Sequence, residues 1–146
     1  LLKEKEPLYS QKASEKLLFP KAKQVIEKLA KQYTLGIVTN TSKKQLMAVL
    51  QKSLKQKFKT IVSYELINKP KPNPECIEIA LKETGFKANE SAIIGDSIKD
   101  IQAGKNAGLK YCIGILTGDN SEKELKQAGA DYIVKDLEEL EKLLLD

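Results

Sequence analysis

Apolar residues along the 146-residue chain fall into short runs that alternate with helical stripes. Ala92-Ile93-Ile94 reads as a strand covered on both faces, because such strands are continuously apolar rather than alternating. Tyr33–Val38, Thr60–Ser63, Tyr111–Leu116 and Tyr132–Val134 read as further strands. Between them lie stripes of helical period. Val25, Ile26 and Leu29 follow Pro20, a residue suited to a helix's first position. Leu46, Val49, Leu50, Leu54 and Phe58 mark one helix over Lys43–Phe58, and Ile77, Ala80 and Leu81 another over Glu75–Thr84, ended by Gly85. Ile101, Ala103 and Ala107 precede Gly108, placed to end a helix in the left-handed conformation. Ser121 and Glu124 have capping-box spacing ahead of Gly129, and Asp136 caps a last stripe of Leu137, Leu140, Leu143 and Leu144. The alternation predicts an α/β fold: a three-layer, Rossmann-like parallel sheet with helices on both faces. Residues 1–18 show no clean period and contain Pro7, so they read as the tail of something larger, and residues 19–146 as the core domain.

Composition narrows the function classes. The net charge of +5 rests on 25 basic residues, every one a lysine. Nucleic-acid readers use arginine for bidentate contacts and aromatic rings as platforms; arginine is absent here and aromatics are 5%. The lysines alternate with glutamates as on a solvated surface, so no nucleic-acid partner is expected. No apolar run approaches the roughly 20 residues of a membrane span, and the residues show no signal-peptide pattern. Cys76 and Cys112 have no metal-ligand spacing and no histidine partner, and read as buried, reduced thiols of a cytoplasmic protein. The first residue is leucine, which implies a natural start upstream.

Candidate chemistry gathers at the predicted strand ends. In Ala92–Gly108, Gly95 allows a sharp turn, Asp96 stands just past the strand, and Asp100 leads the following helix. Open α/β sheets bind ligands at this edge. Two carboxylates there suit Mg²⁺, which takes one or two protein carboxylates and keeps several waters; equally, Asp96 begins a turn and Asp100 caps a helix. Thr39-Asn40-Thr41-Ser42 at another strand end offers either helix-capping groups or hydroxyls and N–H groups for an anion. Asn68-Lys69-Pro70-Lys71-Pro72-Asn73-Pro74 cannot be helical; its prolines stiffen it, either as a plain loop or to hold the Lys69 ammonium against a fixed charge.

Thr39-Asn40, the lysine of KPKPNPE and GDSIKD followed by AGKNAG, in this order and spacing, closely resemble three motifs of the haloacid dehalogenase superfamily, in its phosphoglycolate-phosphatase-like branch. The resemblance covers roughly residues 18–146 and implies a Mg²⁺-dependent phosphatase acting on a small phosphorylated metabolite. It implies that Thr39 and the Asn40 N–H bind phosphoryl oxygens and that Lys69 neutralises charge. Asp96 would ligate Mg²⁺, and Asp100 would hold the metal's waters or Lys69. The family's nucleophile belongs to an Asp-x-Asp pair after an apolar strand, giving an aspartyl-phosphate, and no such pair occurs here; the first aspartate is Asp96. The resemblance therefore implies that residues 1–18 are the remnant of a helical cap and that the central first strand is absent, unless it is supplied by another segment or chain or the gap closes by new pairing. A sheet with that gap predicts an unstable or molten chain without phosphatase activity. The alternative class is a non-enzymatic binding or assembly module on the same fold.

Overall fold

A computed structural model of the chain describes residues 2–5, 20–50 and 52–145. Its centre is one sheet of six parallel strands: β1 (Leu2–Lys5), β2 (Thr34–Val38), β3 (Phe58–Val62), β4 (Ser91–Gly95), β5 (Tyr111–Ile115) and β6 (Tyr132–Val134). They lie in the order β3-β2-β1-β4-β5-β6. This is the doubly wound order whose direction reverses at the middle, where the carboxyl ends of the strands form a ligand crevice. The helices are α1 (Pro20–Gln32), α2 (Lys43–Val49), α3 (Lys52–Lys55), α4 (Glu75–Thr84), α5 (Ile98–Asn106), α6 (Glu122–Ala128) and α7 (Leu137–Leu145).

The central position is not empty. Leu2–Lys5 pairs in parallel with β2 on one side, Leu2 opposite Thr34, and with β4 on the other, Leu2 opposite Ser91. The expected gap is therefore corrected: backbone pairing fills it, and the premise for a molten chain falls with it. The sequence hid this strand because ladder hydrogen bonds come from main-chain groups that every non-proline residue carries. Leu-Lys-Glu-Lys also lacks the apolar continuity of a strand covered on both faces. Of the expected cap remnant, residues 6–18 lie outside the described residues.

Strand alternation sends neighbouring side chains to opposite faces. Ile37 joins the core formed with α1, α2 and α3, whereas Val38 faces α4 and α5. Ile93 and Cys112 follow Val38; Ile94 and Ile113 pack with Leu140 of α7 on the opposite face. Leu137 and Leu144 of α7 touch both clusters of that face. Polar contacts reinforce the seam between α7 and α1: the Tyr33 hydroxyl donates to the Leu144 carbonyl at 2.5 Å, and Lys21 and Lys28 each meet a glutamate of α7 at 2.7 Å. The single helix expected over Lys43–Phe58 is instead two pieces, because Leu50 takes an extended conformation (φ −89°, ψ 114°) after α2, burying its side chain.

Both cysteines are buried and unbridged. Burial pushes the Cys112 thiol up to about 11 from its ordinary value of 9.0. Between those values the unfolded chain gives up a proton that the folded one keeps, so this group's contribution to stability falls as pH rises through that window. At pH 8 the native thiols are expected to react with a disulfide reagent far more slowly than in urea; equal rates would show that the core opens readily.

Candidate active site

The site is assembled from three loops at the carboxyl edge of the sheet. The first follows β2. Thr39 is fully buried, and its N–H donates to the Val62 carbonyl at 2.9 Å, which continues the β2–β3 ladder by one step. Its hydroxyl oxygen accepts the Thr41 N–H at 3.1 Å and shares a 2.8 Å hydrogen bond with the Thr41 hydroxyl. Ser42 then caps α2 in a capping box with Gln45, and the Lys43 N–H donates to the Glu65 carboxylate at 3.0 and 3.2 Å. Those hydrogen bonds hold the Glu65 carboxyl below the usual carboxylate range. Protein groups thus occupy the start of α2, and the candidate anion contact narrows to Thr39 and its neighbour Asn40.

The second loop carries the two lysines, and here the expectation is corrected. Lys69 is exposed, with its N–H donating to Glu75, whereas Lys71 is 2% exposed. The Lys71 ammonium donates to Asp100 Oδ1 at 2.9 Å and to the Val38 carbonyl at 3.1 Å, and its N–H donates to Asn40 Oδ1 at 3.1 Å. Asn106 Nδ2 donates to the Pro72 carbonyl at 3.1 Å, so α5 grips this loop at a second point. The fixed charge foreseen for Lys69 therefore sits on Lys71. Asn40 also has a task that the sequence reading missed, orienting the lysine loop.

The third loop follows β4. Asp96 is 7% exposed and Asp100 is 1% exposed. Ser97, not Asp100, is the N-cap of α5; Asp100 is the reciprocal partner of the capping box, its N–H donating to Ser97 Oγ and its Oδ2 accepting the Ser97 N–H at 3.1 Å. Both oxygens of Asp100 are thus engaged, one by a lysine and one by a backbone amide. A buried carboxylate and a buried ammonium tolerate low dielectric only when paired and hydrogen-bonded in this way. Gly95 provides the room: a methyl there would lie 2.5 Å from Asp100 Oδ2 and 2.6 Å from its Cγ. Gly95→Ala is expected to destabilise the chain by about 1–3 kcal/mol, the usual cost of overpacking. The urea midpoint measures it, and an unchanged midpoint would show that Asp100 can move aside freely.

The donor set bears on a metal. Among the described residues, no group of three or more His, Cys, Asp or Glu side chains is arranged to hold an ion. A site with few carboxylates at a ligand crevice fits Mg²⁺, which keeps its waters and takes oxygen from substrate phosphate. Asp96 fits as a carboxylate ligand, while both oxygens of Asp100 are already taken by Lys71 and the Ser97 N–H. Among the described residues, no helix is long and apolar enough to cross a membrane.

A haloacid dehalogenase-like hydrolase family model matches residues 4–113. Among curated proteins, the chain is 27% identical over 126 residues to a phosphoglycolate phosphatase of Pseudomonas fluorescens, covering 85% of this chain and 46% of that protein. It is 31% identical over 109 residues to the pyrophosphatase PpaX of Bacillus velezensis, covering 74% of this chain and 50% of that protein. The chain thus spans about half the length of these curated relatives. The crystal structure of a hydrolase from Pseudomonas syringae superposes with a TM-score of 0.75 at 29% identity, over 86% of this chain and 58% of that one.

Proposed function

Because the chain belongs to the haloacid dehalogenase-like hydrolases, we propose that it forms the phosphate-holding, charge-stabilising part of a phosphoric monoester hydrolase. The observation that carries this reading is the buried Lys71–Asp100 pair, at 2.9 Å, set among the loops that bear Thr39 and Asp96. Phosphoryl transfer asks mainly for positioning and for neutralisation of spread charge. The Thr39 hydroxyl and the Asn40 N–H bind phosphoryl oxygens. The Lys71 ammonium, fixed by Asp100 and the Val38 carbonyl, offsets the charge on the transferring group. Asp96 would hold Mg²⁺, which would supply Lewis-acid polarisation of the phosphoryl group. Burial of Asp100 and Lys71 excludes water from the pair and strengthens its field.

In this reading the attacking aspartate, and with it the aspartyl-phosphate, comes from outside the 146 residues, which by themselves hydrolyse nothing. The substrate is a small phosphorylated metabolite, with phosphoglycolate and pyrophosphate, named in the relatives, the first to try. A second reading, a non-enzymatic module, draws support from Leu2–Lys5 closing the sheet without any outside strand. The experiment is to read the coding frame upstream of Leu1 and assay the extended protein against a panel of phosphomonoesters. An upstream Asp-x-Asp and hydrolysis that stops in EDTA support the enzyme; a start codon at this position, or no hydrolysis of any ester, supports the module.

A further inference from the structure

Resting on the Mg²⁺ reading above, the geometry points to the turn at residues 117–120 as a clamp on Asp96, with Gly118 and Asn120 as positioning residues of the metal site. β5 runs parallel beside β4, Gly95 opposite Gly114, so the turn that leaves β5 comes over the end of β4 where Asp96 stands. A methyl at Gly118 would lie 2.6 Å from Asp96 Cγ and 2.8 Å from its Cβ. The turn's backbone is therefore packed directly on the carboxylate. The glycines of positive φ among the described residues are Gly85, Gly108 and Gly129, so position 118 makes no left-handed demand, and what it requires is space.

Asn120 keeps the turn in place. Its Oδ1 accepts the Ile98 N–H at 3.0 Å. Ile98 opens α5, and a helix's first N–H groups have no partner within the helix. The carboxamide satisfies one of them and ties the turn, 22 positions away, to the segment just after Asp96. Asp96 is thus enclosed between two segments pinned to each other. Groups that orient a metal ligand in this manner typically change metal affinity by about 10–100-fold when lost.

The test is Mg²⁺ titration of the 146-residue chain by calorimetry, with urea unfolding in EDTA as the measure of fold. Gly118→Ala is expected to weaken Mg²⁺ binding by about tenfold or more. Asn120→Ala, which leaves the carboxylate its room, is expected to weaken it several-fold with a nearly unchanged urea midpoint, and it decides the matter should Gly118→Ala fail to fold. Asp96→Asn sets the level of no specific binding. Wild-type affinity in Asn120→Ala and in a folded Gly118→Ala would overturn the clamp while leaving the metal reading intact. A wild-type chain that binds Mg²⁺ no better than Asp96→Asn would overturn both.

Discussion

Lys71→Met is expected to cost the chain about 3–5 kcal/mol, the penalty for leaving one member of a buried ion pair without its partner. Asp100 would keep the Ser97 N–H but lose the Lys71 ammonium, at 1% exposure. Methionine fills much the same space, so the loss is electrostatic rather than a cavity. Lys71→Met combined with Asp100→Asn should recover part of the stability, since the stranded charge is gone. In an enzyme completed by its nucleophile, the single variant should abolish turnover. Lys69→Met, at an exposed position, should stay within about 0.5 kcal/mol of wild type and retain activity. Urea unfolding of the three variants checks the stability claim, and equal behaviour of Lys69→Met and Lys71→Met would reverse the assignment.

The second large effect is expected at Asp96. Asp96→Asn preserves shape and removes the charge that would hold the metal. A bound metal contributes several kcal/mol of charge stabilisation, so turnover of the completed enzyme should fall on the order of a thousandfold. The fold should survive, because asparagine matches aspartate in size and shape and keeps one acceptor oxygen. The rate measured against Mg²⁺ concentration is the decisive readout: an unchanged Mg²⁺ dependence would remove Asp96 from the metal site.

The legible parts of this molecule are those governed by local pattern. β4 was readable because a doubly covered strand is an apolar run, which places Asp96. Glu75–Thr84 and Tyr132–Val134 have the predicted bounds for the same reason. α5 was read from Asp100, two residues late, because the Ser97–Asp100 capping box went unread. The choice between Lys69 and Lys71 was not legible. Two lysines alternate with prolines in a stretch without period, and what selects one is contact with Val38 and Asp100, 33 and 29 positions away. β1 escaped for a different reason: its place is fixed by main-chain pairing, and its charged side chains carry none of the usual signal.

The seam between α7 and α1 bears on how the chain is made. Tyr33 meets Leu144 across 111 positions and Lys21 meets Glu138 across 117. Contacts so distant along the chain form late, because loop closure must come before they contribute. During synthesis, which runs from the amino end at about 5–20 residues per second, part of the α1 face waits several seconds for the helix that covers it. The loops bearing Thr39, Lys71 and Asp96 all emerge within that interval. The ion pair at the crevice can thus be in place before the opposite face of the sheet is sealed, while part of the α1 face is still uncovered.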